Sequence, residues 1–340
     1  MLFDEIVLRD MTLKNRIVMA PMCMYSAGGD AAATDWHRMH YAARAIGGAG
    51  LIVQEATAVS GEGRISSRDL GIYEDAHVAG LKSIVGAVHG MGAKIGIQLA
   101  HAGRKCEADV PKIYAPSAIA FDEKSREPVS ADAAYIEKTV ADFRAAAARA
   151  LEAGYDIVQI HAAHGYLVNE FLSPVTNRRT DSYGGAPENR VRILGEIIDA
   201  VRSVWPESKP LSVRVTAEDY EPDGNHPEDI AAMLNLVKDR GMDCVNVSSG
   251  GVTPTAPKAF PGYQIPYAEI IRRETGLPVC AGGLVTEAAM AEEAVSHGRC
   301  DAVYLGRELL RNPFFPLLAS VELGADIPWP AQYERAKPRR

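Results

Sequence analysis

The stretch Tyr155-Asp156-Ile157-Val158-Gln159-Ile160-His161-Ala162-Ala163-His164-Gly165-Tyr166 decides how this chain is read. Its first half follows a long Ala-rich helical stretch closed by Gly154, and it reads as a buried parallel strand. Its second half sets two imidazoles and a phenol at that strand's carboxyl end, where open sheets and barrels carry their chemistry. Such side chains grip an oxygen and supply a proton. They supply no electrons, so the rest of the chain must show whether an electron carrier is bound.

Working outward, the same rhythm repeats. Strands are expected at 16–20, 51–56, 94–99, 156–161, 211–216, 244–248, 278–281 and 302–305. Helical patterns lie between them near 36–47, 76–91, 136–153, 188–204, 228–240, 266–275 and 286–297, with another after Gly306. Gly48, Gly92, Gly154, Gly241, Gly276 and Gly298 stand where helix C-caps fall. Eight strand–helix units without a composition break predict an α/β fold, a single-domain (β/α)8 TIM barrel spanning 1–340. A doubly wound sheet is the alternative; the lack of GxGxxG after the first strand weighs against its Rossmann form. The longest irregular stretches, 57–75, 100–134, 165–187 and 249–265, each follow a strand's carboxyl end. Loops on that rim are expected to build a site.

Composition narrows the partners. The 340 residues are 47% hydrophobic and 24% charged, which suits an ordinary globular protein with a large core. A net charge of -8 argues against nucleic acid or an anionic membrane as the main partner. The basic run Arg335-Ala336-Lys337-Pro338-Arg339-Arg340 is a local exception, and a solvated terminus explains it. Five cysteines, at 23, 106, 244, 280 and 300, form no CxxC or zinc spacing, so a reduced, cytoplasmic protein is expected. No signal peptide and no apolar run of membrane-spanning length is apparent.

The last two strands run into Ala281-Gly282-Gly283 and Leu305-Gly306-Arg307. Barrels commonly bind phosphate there, through bare backbone N–H groups and a helix N-terminus, and Arg307 adds a bidentate fork. Around the expected mouth lie Gln98 and His101, Arg214, Ser248-Ser249-Gly250-Gly251, and Ala20-Pro21-Met22-Cys23-Met24-Tyr25. Few carboxylates are among them, which suits neither glycoside hydrolysis nor magnesium. His161 and His164 have no evident third ligand and no HExxH helix, so no metal is expected. Amides, arginine and small residues suit a planar heteroaromatic cofactor, with Arg214 offsetting charge as electrons arrive. His37, His40, Met22 and Met24 read as packing or structural residues, Asp181 and Arg190 as braces for 173–190, and Cys244, Cys280 and Cys300 as core.

Three segments are familiar together: Asn15-Arg16-Ile17-Val18-Met19-Ala20-Pro21-Met22-Cys23, Gln98-Leu99-Ala100-His101-Ala102-Gly103-Arg104 and His161-Ala162-Ala163-His164-Gly165-Tyr166. The run from Glu170 to Gly185 and the closing Gly306-Arg307-Glu308-Leu309-Leu310-Arg311-Asn312-Pro313-Phe314-Phe315 extend the match over essentially the whole chain. The sequence resembles the Old Yellow Enzyme family of FMN-dependent ene reductases, in its thermophilic-like bacterial subclass.

That resemblance implies noncovalent FMN at the barrel mouth and NADPH as hydride donor. It places Ala20, Pro21, Met22, Cys23, Ala56, Gln98 and Arg214 against the isoalloxazine, and Gly283, Gly306 and Arg307 on the phosphate. Cys23 is expected to tune the flavin and acceptor binding, and Tyr25 to line the substrate space. His161 and His164 are expected to hydrogen-bond the carbonyl or nitro oxygen of an acceptor, with Tyr166 as proton donor. The implied reaction is ping-pong: NADPH reduces FMN and leaves, then flavin N5 passes hydride to the β carbon of an α,β-unsaturated carbonyl compound. A nitroester or nitroaromatic reductase on the same barrel is an alternative, and a flavin-free phosphate-binding lyase or isomerase a more distant one. Relatives act as homodimers or homotetramers and end in Gln-Tyr-Glu-Arg-Gly-Trp, the arginine entering a neighbour's site. Here Gln332-Tyr333-Glu334-Arg335 is present without the Gly-Trp end, so a tail from about 326 that brings Arg335 to a neighbouring subunit is an expectation. The loop at 107–112 also departs from the family pattern.

Overall fold

The computed structural model describes residues 1–338. Two short strands, β1 (Ile6–Leu8) and β2 (Met11–Leu13), pair antiparallel ahead of the barrel. The chain then runs β3 (Ile17–Met19), α1 (Asp35–Ile46), β4 (Leu51–Ala58), α2 (His77–Gly90) and β5 (Lys94–Ala100). A small parallel pair, β6 (Tyr114–Ala115) and β7 (Val129–Ser130), sits in the long loop before α3 (Ala133–Ala153). After β8 (Ile157–Ala162) come α4 (Leu167–Leu172), α5 (Pro187–Arg190), α6 (Arg192–Arg202), β9 (Leu211–Thr216) and α7 (Pro227–Val237). The last third holds β10 (Cys244–Ser248), α8 (Ile265–Thr275), β11 (Val279–Ala281), α9 (Ala288–Ser296), β12 (Ala302–Leu305), α10 (Arg307–Arg311) and α11 (Phe315–Glu322).

Eight of these strands close into a barrel in the order β3-β4-β5-β8-β9-β10-β11-β12, each parallel to its neighbours. This is the expected (β/α)8 barrel, and the doubly wound alternative falls. Val18, Leu51, Val53, Ile157, Ala302 and Tyr304 fill the interior, and the β1–β2 hairpin packs Met11 and Leu13 beneath them. A second, larger layer of Ile17, Ile52, Ile97, Val158, Val213 and Val247 faces the helices. Burial of both strand faces is why these segments are apolar without alternating.

Local chemistry sets the ends of elements. Asp132 caps α3, accepting the Tyr135 amide at 2.8 Å, and Gly154 ends it at φ 93, a left-handed conformation that costs glycine little. The expected helix at 188–204 is broken at Val191 into α5 and α6. The hairpin and α4 were not expected; α4 begins directly after Tyr166, inside a stretch read as irregular.

One irregularity matters for the site. The β4–β5 register shifts between Gln54 and Ala56. Ala56 thereby pairs with Gln98 and faces the interior with it, whereas Glu55 turns to α1 and meets Tyr41. Among the described residues no helix is long and apolar enough to cross a membrane.

Candidate active site

Strand β8 delivers His161, and the turn after it delivers His164 and Tyr166. The turn is tight: His164 has φ 61 and Gly165 φ 70. A side chain at Gly165 would collide with the Gly251 carbonyl, at 2.1 Å from its Cβ. Asn169 Oδ1 accepts the Gly165 amide (2.7 Å), and Thr216 Oγ1 accepts the His164 amide (2.8 Å). The His161 ring stands 5.3 Å from that of His164 and 5.0 Å from that of Tyr166, each near a right angle.

Hydrogen bonds sort the ring nitrogens. The Ala163 amide donates to His161 Nδ1 (3.3 Å), so the neutral ring carries its proton on Nε2. His164 Nε2 lies 2.7 Å from Ser248 Oγ. Among the described residues neither His161 Nε2 nor His164 Nδ1 has a hydrogen-bond partner, and neither is a buried orphan, so both open to the mouth. Burial, followed by the charges of Arg214 and Lys105, holds both histidines well below the usual imidazole range. Burial likewise pushes Tyr166 up, with the acidic groups of Cys23, Tyr25, Asp69 and Glu107 adding to it. At neutral pH the three are two neutral imidazoles and a protonated phenol.

Beside them is a cavity of about 280 Å3 lined by Ala20, Pro21, Met22, Arg214, Gly283, Gly306 and Arg307. The sequence also pointed to these residues from separate segments, and the barrel brings them together. Arg214 is 7% exposed, and its Nε is buried without a partner. An orphaned guanidinium N–H beside a glycine-lined cavity at the foot of α10 fits an anionic, hydrogen-bonding cofactor. Tyr263, Gln264, Thr286 and Tyr304 line it too, and no motif marked them. Glu308 also lines it, and Arg311 binds that carboxylate at 2.7 Å.

Cys23 and Tyr25 follow β3 at the mouth; Cys23 is half-buried, and Tyr25 is exposed at φ 50. Gln98 Nε2 donates to Gln159 Oε1 (2.8 Å) inside the barrel. Lys105 was not foreseen: its ammonium bonds the carbonyls of His164 (3.0 Å) and Gly251 (3.2 Å) and lies 5.1 Å from the Tyr166 ring centre. Arg190 braces its loop as expected, donating to the carbonyls of Leu172 and Gly185. Arg335 is not brought to the site. It lies exposed on a short 3-10 turn, Ala331–Ala336. Its neighbours Gln332 and Tyr333 share a cavity with Phe3, Lys14 and Gly92 at the barrel's amino end, opposite the mouth.

A parallel barrel whose mouth joins a pair of neutral histidines, a phenol and a cationic glycine-lined cavity is the architecture of a flavin oxidoreductase barrel. The family described as NADH:flavin oxidoreductase / NADH oxidase matches residues 1–324. An NADPH dehydrogenase of Geobacillus thermodenitrificans (strain NG80-2) is 56% identical over 336 residues, 98% of either chain. Morphinone reductase superposes with a TM-score of 0.81 at 30% identity, over 96% of this chain and 90% of that one. The old yellow enzyme homologue from Zymomonas mobilis gives a TM-score of 0.81 at 29% identity, over 100% and 99%. The chain belongs to the NADH:flavin oxidoreductase / NADH oxidase family, among the Old Yellow Enzyme relatives, and FMN is its cofactor.

Proposed function

We propose that this chain, an FMN-dependent NADPH dehydrogenase, reduces the activated C=C bond of α,β-unsaturated carbonyl compounds. The observation that carries this reading is the pair of open nitrogens, His161 Nε2 and His164 Nδ1, on the same turn as Tyr166. Ala20, Pro21, Met22, Cys23, Ala56, Gln98 and Arg214 would hold the flavin ring, and Gly283, Gly306 and Arg307 its phosphate. FMN held there would supply hydride chemistry between NADPH and the acceptor, and two half-reactions at one mouth would give ping-pong kinetics.

The chain's own residues do the rest. In the tautomer that accepts the Ser248 hydroxyl at His164 Nε2 (2.7 Å), Nδ1–H is a donor beside His161 Nε2–H. These two N–H groups bind the acceptor's oxygen and stabilise the charge that grows there in the transition state. Because both rings are neutral, they polarise the oxygen without surrendering a proton to it. Tyr166 Oη then gives its proton to the α carbon. Tyr25 lines the space over the acceptor, and the enzyme is a homodimer or homotetramer. Five unpaired cysteines support a cytoplasmic setting.

An anaerobic visible spectrum tests this. The flavin band is expected to bleach with NADPH and return with 2-cyclohexenone. A band that bleaches and ignores the enone, but returns with a nitroaromatic, moves the acceptor to nitro compounds bound by the same two donors. Tyr166→Phe is expected to slow reoxidation by enone about a hundredfold and to leave reduction by NADPH intact. Equal reoxidation rates remove Tyr166 as the proton donor.

A further inference from the structure

His164 can grip an acceptor's oxygen from the mouth only if Nδ1, the nitrogen that opens there, carries the proton. Nothing in the histidine turn decides this. Nε2 lies 2.7 Å from Ser248 Oγ, and a hydroxyl can stand on either side of that bond. As donor it leaves His164 with Nδ1–H; as acceptor it leaves Nδ1 a bare lone pair. A lone pair repels the oxygen that a donor would hold. What fixes the Ser248 proton therefore fixes His164.

Gln264 meets that serine from the other side. It stands directly before α8, and its side chain makes no capping bond there. The side chain is buried, 3% exposed, and joins the ends of two strands. Its Nε2 lies 3.2 Å from the Oγ of Ser248, which ends β10, and 2.9 Å from the Oγ of Ser249. Its Oε1 accepts the hydroxyl of Tyr304, in β12. The distances fit this orientation of the amide: 3.2 Å is within the N–H···O range and beyond the usual O–H···O range, so the serine end is the nitrogen end. An amide N–H gives a proton and takes none. Of Gln264 and His164, only His164 Nε2 can then receive the Ser248 proton. Turned end for end, Gln264 would offer Ser248 a carbonyl, draw the hydroxyl proton to itself and leave His164 with Nε2–H.

We infer that Gln264 is a positioning residue for the reduction: through Ser248 it selects the Nδ1–H tautomer of His164, so that the acceptor's oxygen meets two donors rather than one. This rests on the acceptor-binding role proposed above for His164. Burial and the nearby Arg214 guanidinium keep the ring neutral, which is what gives the tautomer its weight, since a charged ring would carry both protons.

The test reads the proton directly, in oxidised holoenzyme carrying isotope-labelled histidine. Proton–nitrogen correlation NMR separates a protonated ring nitrogen from a bare one, and His164→Asn identifies the His164 signals by their loss. Wild-type His164 is expected as a neutral ring protonated on Nδ1. Gln264→Met removes the amide at similar volume, and the Tyr304 hydroxyl keeps the Val247 carbonyl, 2.9 Å away, as a partner. Ser248→Ala removes the hydroxyl itself. In both variants a large share of the proton is expected to move to Nε2, and reoxidation of reduced flavin by 2-cyclohexenone to slow about tenfold. The inference is overturned if wild-type His164 carries its proton on Nε2 or on both nitrogens, or if Gln264→Met holds FMN and keeps the wild-type tautomer. If Gln264→Met does not fold or does not hold FMN, the same reading of Ser248→Ala decides. A tautomer that shifts in the variants, in an enzyme whose reduced flavin ignores the enone, sustains the role of Gln264 and sinks the ene-reductase reading instead.

Discussion

The Lys105 ammonium lies 3.0 Å from the carbonyl oxygen of His164, tying the histidine turn to the loop that carries Gly251. The turn needs the tie because His164 occupies φ 61, a conformation that side chains other than glycine adopt at a cost. Lys105→Met removes both bonds and leaves two carbonyls without their donor. Reoxidation of reduced enzyme by enone is expected to fall about tenfold, with a smaller loss for Lys105→Arg. Stopped-flow measurement of the two half-reactions checks this; equal losses in both would assign Lys105 to general stability.

Arg307 is exposed at the rim of the glycine-lined cavity, which also takes in Gly306, where β12 gives way to α10. A charge-assisted bond to phosphate contributes about 1.5–3 kcal/mol. Arg307→Ala is thus expected to raise the FMN dissociation constant by about tenfold to a hundredfold, read by flavin fluorescence on dilution. Unchanged affinity would move the phosphate elsewhere along the cavity.

Stability should carry the mark of Glu170. This carboxyl is fully buried on α4, and burial pushes it up to about 8, against the pull of Arg104 and Lys105. The folded chain thus keeps a proton that the unfolded chain releases near 4.5. Folding stability from this group is fully present below the unfolded value and falls as pH rises to about 8. Melting temperature is expected to drop over that window, and Glu170→Gln to flatten the drop by about a few degrees. Glu55 and Asp219, raised to about 7 and about 6, leave a residual slope. Parallel melting curves for variant and wild type would remove Glu170 as a source.

The barrel was legible because its signals are local. Doubly buried strands must be apolar, and helix ends such as Gly154 must be glycine or close to it, so β8 and α3 could be read from composition alone. The candidate site was legible where residue type limits chemistry: His161, His164 and Tyr166 come together after one strand, and Arg307 lines the glycine-rich cavity. What stayed hidden depends on contacts distant in sequence. Glu55 looks like one polar residue in an apolar strand until a register shift turns it toward Tyr41, 14 residues away. Lys105 has no motif, and its partners, His164 and Gly251, belong to other strands' loops. The β1–β2 hairpin was missed because three-residue strands carry too little alternation to register.

Arg335 poses the remaining geometric question. Its turn lies at the amino end of the barrel, so within one chain it cannot contact an acceptor held at the carboxyl end. Any role in acceptor binding therefore belongs to a neighbouring subunit's site. The outer face of α1 exposes Trp36 and Met39, and α11 exposes Leu318, at 55%, 69% and 50%, apolar surface that a second copy would cover. If Arg335 crosses such an interface, Arg335→Ala should raise KM for the enone about tenfold while leaving FMN content and the reduced–oxidised spectra unchanged. Mixing Arg335→Ala with Tyr166→Phe subunits separates the cases. A mixed dimer of the two holds one site with neither lesion, so activity above the sum of the separate variants supports a crossing arginine. No gain on mixing, with subunit exchange confirmed by mass, would return Arg335 to the role of a solvated tail residue.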